Sequence, residues 1–194
     1  MNTEEVVEFS LISSYSLPPD ITLPKVTYIT NMREFMSDPE NFNGNIDDLT
    51  NRLEEKSQQC KNIIKILKDT VQLKRTALHK VKEDIQDLSA EIKKDGAAQR
   101  FTIDREKVTL HFLDEKETNE YEASEALEHL SIKMNSLFSD ILALESDVDY
   151  VTYLEGVSQI NIDYAKDWYK TEIKNKNEEP IPESVGDDAP PNKE

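Results

Sequence analysis

Acid–base, nucleophilic or metal chemistry in this chain would have to be built from three histidines, one cysteine and a large pool of carboxylates. His79, His111 and His129 are scattered, and no Cys/His group has the spacing of zinc ligands. Four glycines form neither a phosphate-cradling loop nor a nucleophile elbow. With 40 aspartates and glutamates, no carboxylate pair stands out as an acid and its base. The single cysteine, Cys60, excludes an internal disulfide; its regular spacing among apolar residues makes it a small buried group rather than a redox centre. A basic stretch, Lys61, Lys65, Lys68, Lys74, Arg75, Lys80 and Lys82, reads as a solvated helix face partly paired with acids elsewhere, with docking of an acidic partner as the alternative. These residues predict no enzyme, no cofactor and no metal site. Function should then lie in how the chain is shaped and what it binds.

Composition narrows that binding. The formal net charge of −17 argues against a nucleic-acid partner, because affinity for phosphate backbones comes from cationic side chains releasing counterions. Glu4, Glu5 and Glu8 stand where a secretory signal would carry positive charge, and no apolar run approaches the roughly 20 residues of a membrane span. The expected location is the cytoplasm, with the nucleus also open, and no membrane partner is expected. Only 37% of the residues are hydrophobic and 32% are charged, which suits an elongated helical protein better than a compact core.

The pattern along the chain fits that shape. Residues 1–22 read as a disordered leader, and 23–45, held out of a continuous helix by Pro18, Pro19, Pro24 and Pro39, as a short N-terminal segment. Neither proline nor glycine occurs from Asn45 to Lys94. Asn45 is placed to cap a helix over 46–94, with Asp47 and Asp48 in its first turn. Alternating steps of three and four give a seam of Ile46, Leu49, Leu53, Lys56, Cys60, Ile63, Leu67, Val71, Lys74, Leu78, Val81, Ile85, Leu88 and Ile92, broken only by the two lysines. A second helix over 124–176, capped by Ser124, carries Leu127, Leu130, Met134, Leu137, Ile141, Leu144, Val148 and Val151; its pattern then loosens through Gly156, Ser158 and Asp163. Residues 177–194, acidic and proline-rich, read as a disordered tail.

Two helices of matched length suggest an antiparallel coiled coil, and the connector at 95–123 changes period. After the stop at Asp95-Gly96, Phe101 and Ile103 alternate, 104–107 is polar, and Val108, Leu110 and Phe112 alternate again. The fold class expected is mainly α: a long antiparallel two-helix coiled coil joined by a short β-hairpin. Two strands alone leave edges unpaired and a face uncovered, so Phe101, Ile103, Val108, Leu110 and Phe112 are expected to join a sheet shared between subunits.

This arrangement, and several residues within it, resembles the prefoldin family, in particular the α-class subunit 3. In the N-terminal segment the similarity rests on Leu23-Pro24-Lys25, Val26, Tyr28, Ile29, Phe35-Met36 and Pro39. It is denser later, where Glu120-Tyr121, Glu125-Ala126, Leu144-Glu145, Asp147, Asp149, Asn161 and Trp168 keep the family's spacing without a gap. The sequence departs from the family at Asp163, Tyr164, Lys166 and Asp167, which stand where Ala, Arg, Tyr and Asn are usual, and its connector is shorter and lacks a Trp-Leu-Gly strand. The resemblance implies a heterohexamer in which this chain and other prefoldin subunits pool their hairpins into a β-barrel platform. It further implies that the coiled-coil ends hold unfolded clients such as actin and tubulin and deliver them to the cytosolic chaperonin without ATP hydrolysis.

Antiparallel helices bring the start of the first and the end of the second together, so the tip expected to meet clients comprises Ile46, Leu49, Leu53, Ile162, Ala165 and Trp168. Their other role is to seal the helix pair. Where the helices splay, each large side chain would gain about 1.5–3 kcal/mol on burial against a client, and several such arms would act by avidity. A different class of function also fits long paired helices: a structural coiled-coil subunit of a tethering, kinetochore or cytoskeletal complex.

Overall fold

The computed structural model describes residues 11, 17–97, 107–112 and 118–174, with only the backbone described at 93–97, 118–119 and 173–174. Phe101, Ile103 and the tail at 177–194 lie outside the described residues. The fold is mainly helical: a short helix α1 (Met32–Ser37), a long helix α2 (Ile46–Ala97), strands β1 (Val108–His111) and β2 (Thr118–Tyr121), and a second long helix α3 (Ala123–Trp168) ending in a π-helical turn at Tyr169–Lys174.

The start of α2 follows from local chemistry. Gly44 has φ +90°, a conformation that side-chain-bearing residues rarely adopt, and it turns the chain into Asn45. The Asn45 carboxamide then accepts from the Asp47 amide at 2.9 Å, which satisfies one of the helix's unpaired N–H groups. Asp47 and Asp48 add favourable charge beside the helix dipole. α2 runs for 52 residues, about 80 Å at roughly 1.5 Å per residue.

α3 packs along α2 in the opposite direction. Ion-pair partners advance along one helix as they retreat along the other: Glu54 with Lys166 at 3.0 Å, Lys61 with Glu155 at 3.5 Å, and Lys74 with Asp140 at 2.8 Å. Between these flanks Cys60, Ile63, Leu67, Ala77 and Val81 of α2 meet Leu130, Leu137, Leu144 and Val151 of α3 in one core. Burying that stripe is what holds the two long helices together.

Four details differ from the sequence expectation. Lys56 is exposed, and Ser57 turns inward in its place, because the seam steps by four and then three between Leu53 and Cys60; the lysine head keeps its water. α3 starts at Ala123, capped by Glu122 without a side-chain bond, two residues before the expected Ser124 cap. The inward face of α3 does not fade after Val151 but continues through Leu154, Val157, Ser158, Asn161, Ile162 and Ala165. Lastly, the strand opposite β1 is β2, with Val108 across from Tyr121 and Leu110 across from Asn119. Thr118-Asn119-Glu120 is too polar to announce a strand from its own alternation.

The N-terminal segment forms a third layer. Its placed portion reaches into the stretch expected as leader: Pro18-Pro19 turns with Ile21 N–H donating to Pro18 O at 2.8 Å, and Leu17, Ile21, Leu23 and Val26 pack half-buried against the helix core. α1 is capped by Asn31, whose side chain accepts from the Glu34 amide at 3.2 Å.

Candidate functional site

All six residues expected at the tip come together at the end of the helix pair remote from the strands. Leu49, Leu53, Ile162 and Ala165 form the centre of a second apolar cluster, and Ile46 and Trp168 pack against its edge. They do not stand open. Leu49 and Ile162 are each 2% exposed because Ile29, Met32 and Met36 of the N-terminal segment lie over them. Met32 itself is fully buried.

This overlying segment is held by side chains of both long helices. Asn161, 3% exposed, accepts from the Ile29 amide at 3.0 Å and donates to the Thr27 carbonyl at 2.8 Å. A buried carboxamide is costly unless both its ends are satisfied, and one stretch of backbone satisfies both. Behind α1, the Arg52 guanidinium of α2 donates to the carbonyls of Glu40, at 3.3 Å, and of Asn41. At the rim, Arg33 meets Glu172 at 3.2 Å and the Phe42 and Tyr169 rings make an edge contact at 6.3 Å. The sequence offered one signal for this layer, the pair Met32 and Met36 at helical spacing beside Ile29. It is faint because α1, between its Asn31 cap and Asp38, has only six residues, too few for a periodic pattern.

Polar groups also enter the seam higher up. Ser57, 3% exposed, donates to Glu155 at 3.1 Å, and Asp147 is 1% exposed on the inward face of α3. Cys60 sits at the same level as Ser57. Burial, with a smaller contribution from the Glu155 carboxylate, pushes its thiol pKa up. Lys74, the other seam lysine, is half-buried and keeps its charge satisfied on Asp140. Of the basic stretch, Lys61, Lys74 and Arg75 pair with acids of α3, and Lys80 pairs with Asp84 within α2.

At the opposite end, the described interface candidates Val108 and Leu110 sit on β1 and Phe112 just after it. Leu110 is buried against the helix core within this chain, while Val108 and Phe112 are half-buried and Thr109 and His111 face outward. Two contacts seat the strands on α3: Lys133 lies 5.3 Å over the Phe112 ring, and Tyr121 packs on the His129 ring at 4.1 Å. Among the described residues the sheet has two strands, β1 beside β2.

Among the described residues no group of three or more His, Cys, Asp or Glu side chains could hold a metal ion, and no helix is long and apolar enough to cross a membrane. The chain has no match among protein-family models, curated proteins or solved structures.

Proposed function

We propose that this chain is a non-catalytic subunit of a prefoldin-type holding chaperone, its long helices forming an antiparallel coiled coil and its strands joining those of other subunits. The observation that carries the reading is the difference between the two ends. A small sheet, two-stranded among the described residues, with half-buried Val108 and Phe112 beside it lies at one end, and an apolar cluster closed by a separate segment lies at the other. Such a molecule assembles through the sheet and binds through the tip. Unfolded actin and tubulin would be held there and passed to the cytosolic chaperonin in the cytosol or nucleus, without nucleotide. The residue resemblance at Glu120-Tyr121, Leu144-Glu145, Asn161 and Trp168 supports the same assignment.

Purification from native cells under mild conditions, with sizing and mass spectrometry of the particle, tests the proposal. Five further small coiled-coil subunits in one particle are expected. Tethering or cytoskeletal proteins in their place would replace it with a structural role. That second reading has one specific observation in its favour: Ile132, Phe138, Leu142, Tyr153 and Ile160 are each more than half exposed on α3, a face that a neighbouring helix could cover. In that case association would map to α3 and leave the strands free.

A further inference from the structure

We propose that residues 23–37 are an intramolecular pseudo-ligand: they occupy a peptide-binding site made by the Asn161 carboxamide and the apolar tip, and an apolar segment of another polypeptide takes that site when they swing out. The inference rests on the holding reading and adds how the site is built and how it is kept shut.

Its first support is the way Asn161 holds the segment. Residues 21–29 carry no helix or turn, and the amide engages the carbonyl of Thr27 and the N–H of Ile29, the two groups flanking Tyr28. That is the pairing one strand offers its parallel neighbour, with the side-chain amide supplying the N–H and C=O that one residue of the neighbour would supply from two successive peptide groups. Any unfolded chain can present a carbonyl and, two residues on, an N–H. The bond therefore selects non-helical backbone without selecting sequence, as strand addition does elsewhere. The tip then adds the preference for apolar side chains: Ile29 and Met32 fill the space over Leu49 and Ile162.

The second support is how the segment is tethered. Its return to α2 passes through Asp38–Asn45, where Arg52 fixes the Glu40 and Asn41 carbonyls and Gly44 takes its positive φ. Those contacts belong to α2 and persist with α1 displaced, so the hinge stays anchored while the pseudo-ligand leaves. Its polar rim adds little resistance, because the Arg33–Glu172 pair lies at the surface in reach of water. Once it is displaced, Asn161 loses both partners and the tip is open to solvent, and an incoming peptide restores both.

Binding in trans of a fluorescent peptide with the sequence of residues 23–37 tests this on the full chain. Met32→Asp puts a charge where the side chain is fully buried and should free the site; Tyr28→Asp, at a residue 53% exposed in the same segment, is the control. The Met32→Asp chain should bind the peptide about tenfold or more tightly than the parent or Tyr28→Asp chains, because the parent's site is mostly occupied in cis. Adding Asn161→Leu should abolish the gain with helicity by circular dichroism unchanged. Equal binding by parent and Met32→Asp, or binding indifferent to Asn161, overturns the proposal.

Native-state hydrogen exchange on the unmodified chain gives a second, mutation-free test. The Ile29 amide should exchange through a local opening that leaves the Leu144 amide protected; exchange of both through one global opening overturns it. A parallel assay of aggregation suppression separates the two levels. Peptide binding by Met32→Asp with no suppression by any chain upholds the pseudo-ligand and sinks the holding reading. Equal suppression by parent and Met32→Asp without peptide binding does the reverse.

Discussion

The side chain of Asn161 on α3 accepts a hydrogen bond from the backbone of Ile29, 132 positions away, at 3.0 Å, and its other end donates to Thr27 at 2.8 Å. Replacing Asn161 by alanine leaves a buried N–H and a carbonyl without partners, a cost of about 1–3 kcal/mol. That cost should fall on docking of the N-terminal segment rather than on the helix pair. Limited proteolysis should therefore cut within 23–45 much faster in Asn161→Ala than in the parent, while the thermal midpoint of the helical signal moves little. A large drop in that midpoint with no change in cleavage would show that Asn161 serves the helix pair instead.

The inner face of the helix pair is a conventional core, and its cost of disruption should be correspondingly high. Leu67 is fully buried and Leu144 is 1% exposed, both in the main cluster. Truncating either to alanine should lower stability by about 2–5 kcal/mol, the spread reflecting how far the neighbours collapse into the space. Urea denaturation followed by circular dichroism measures this. By contrast, Leu73→Ala, at a position 72% exposed, should change it by less than about 0.5 kcal/mol.

What was legible in the sequence follows from periodicity and from capping. An apolar residue every three or four positions marks both long helices, since burial along one stripe is what stabilises them, and α2 adds the Asn45 cap and a run from 45 to 94 without glycine or proline. The six tip residues follow from the antiparallel geometry alone. The covering layer is a different matter. Ile29, Met32 and Met36 act over long range against Leu49 and Ile162, and a six-residue helix between prolines carries no period from which such a contact could be inferred. The apparent loosening after Val151 has the same origin: Asn161 faces inward because a third layer, rather than the partner helix alone, packs there. β2 was hidden for a further reason, its stability coming from pairing with β1 and from the Tyr121–His129 contact rather than from apolar alternation.

Gly156 interrupts the middle of α3, yet a Cβ added there would meet nothing within 4 Å. Its cost is then purely that of glycine in a helix, about 0.5–1 kcal/mol relative to alanine. Gly156→Ala should raise the thermal midpoint by a few degrees and leave binding in every assay unchanged. A fall in stability would mean that the position packs against a partner subunit.

The Lys74–Asp140 pair is the best candidate for an electrostatic contact that sets the axial alignment of the two helices, since both side chains are partly withdrawn from water on the flank of the core. A double-mutant cycle to alanine should give a coupling of about 1 kcal/mol or less that shrinks at high salt. Coupling that survives high salt would point to packing of the lysine stem rather than to charge.

Cys60 gives a last handle, on the centre of the helix pair. The thiol is fully buried, and burial together with the Glu155 carboxylate holds its pKa above the ordinary value. The neutral thiol is therefore the form the fold prefers. Its contribution to stability is fully present below the ordinary thiol pKa and is lost as pH rises from there through the raised folded value, because the unfolded chain releases its proton first. Two outcomes should follow. At neutral pH, a thiol-specific reagent should label Cys60 orders of magnitude more slowly in the native chain than in urea, because reaction needs both exposure and thiolate. Above the ordinary thiol pKa the rate in urea should level off while the native rate goes on rising with pH, because the folded thiol still holds its proton there. Rapid native labelling at neutral pH would mean that the helices part around Cys60 far more often than a core built from Ile63, Leu67 and Leu144 allows.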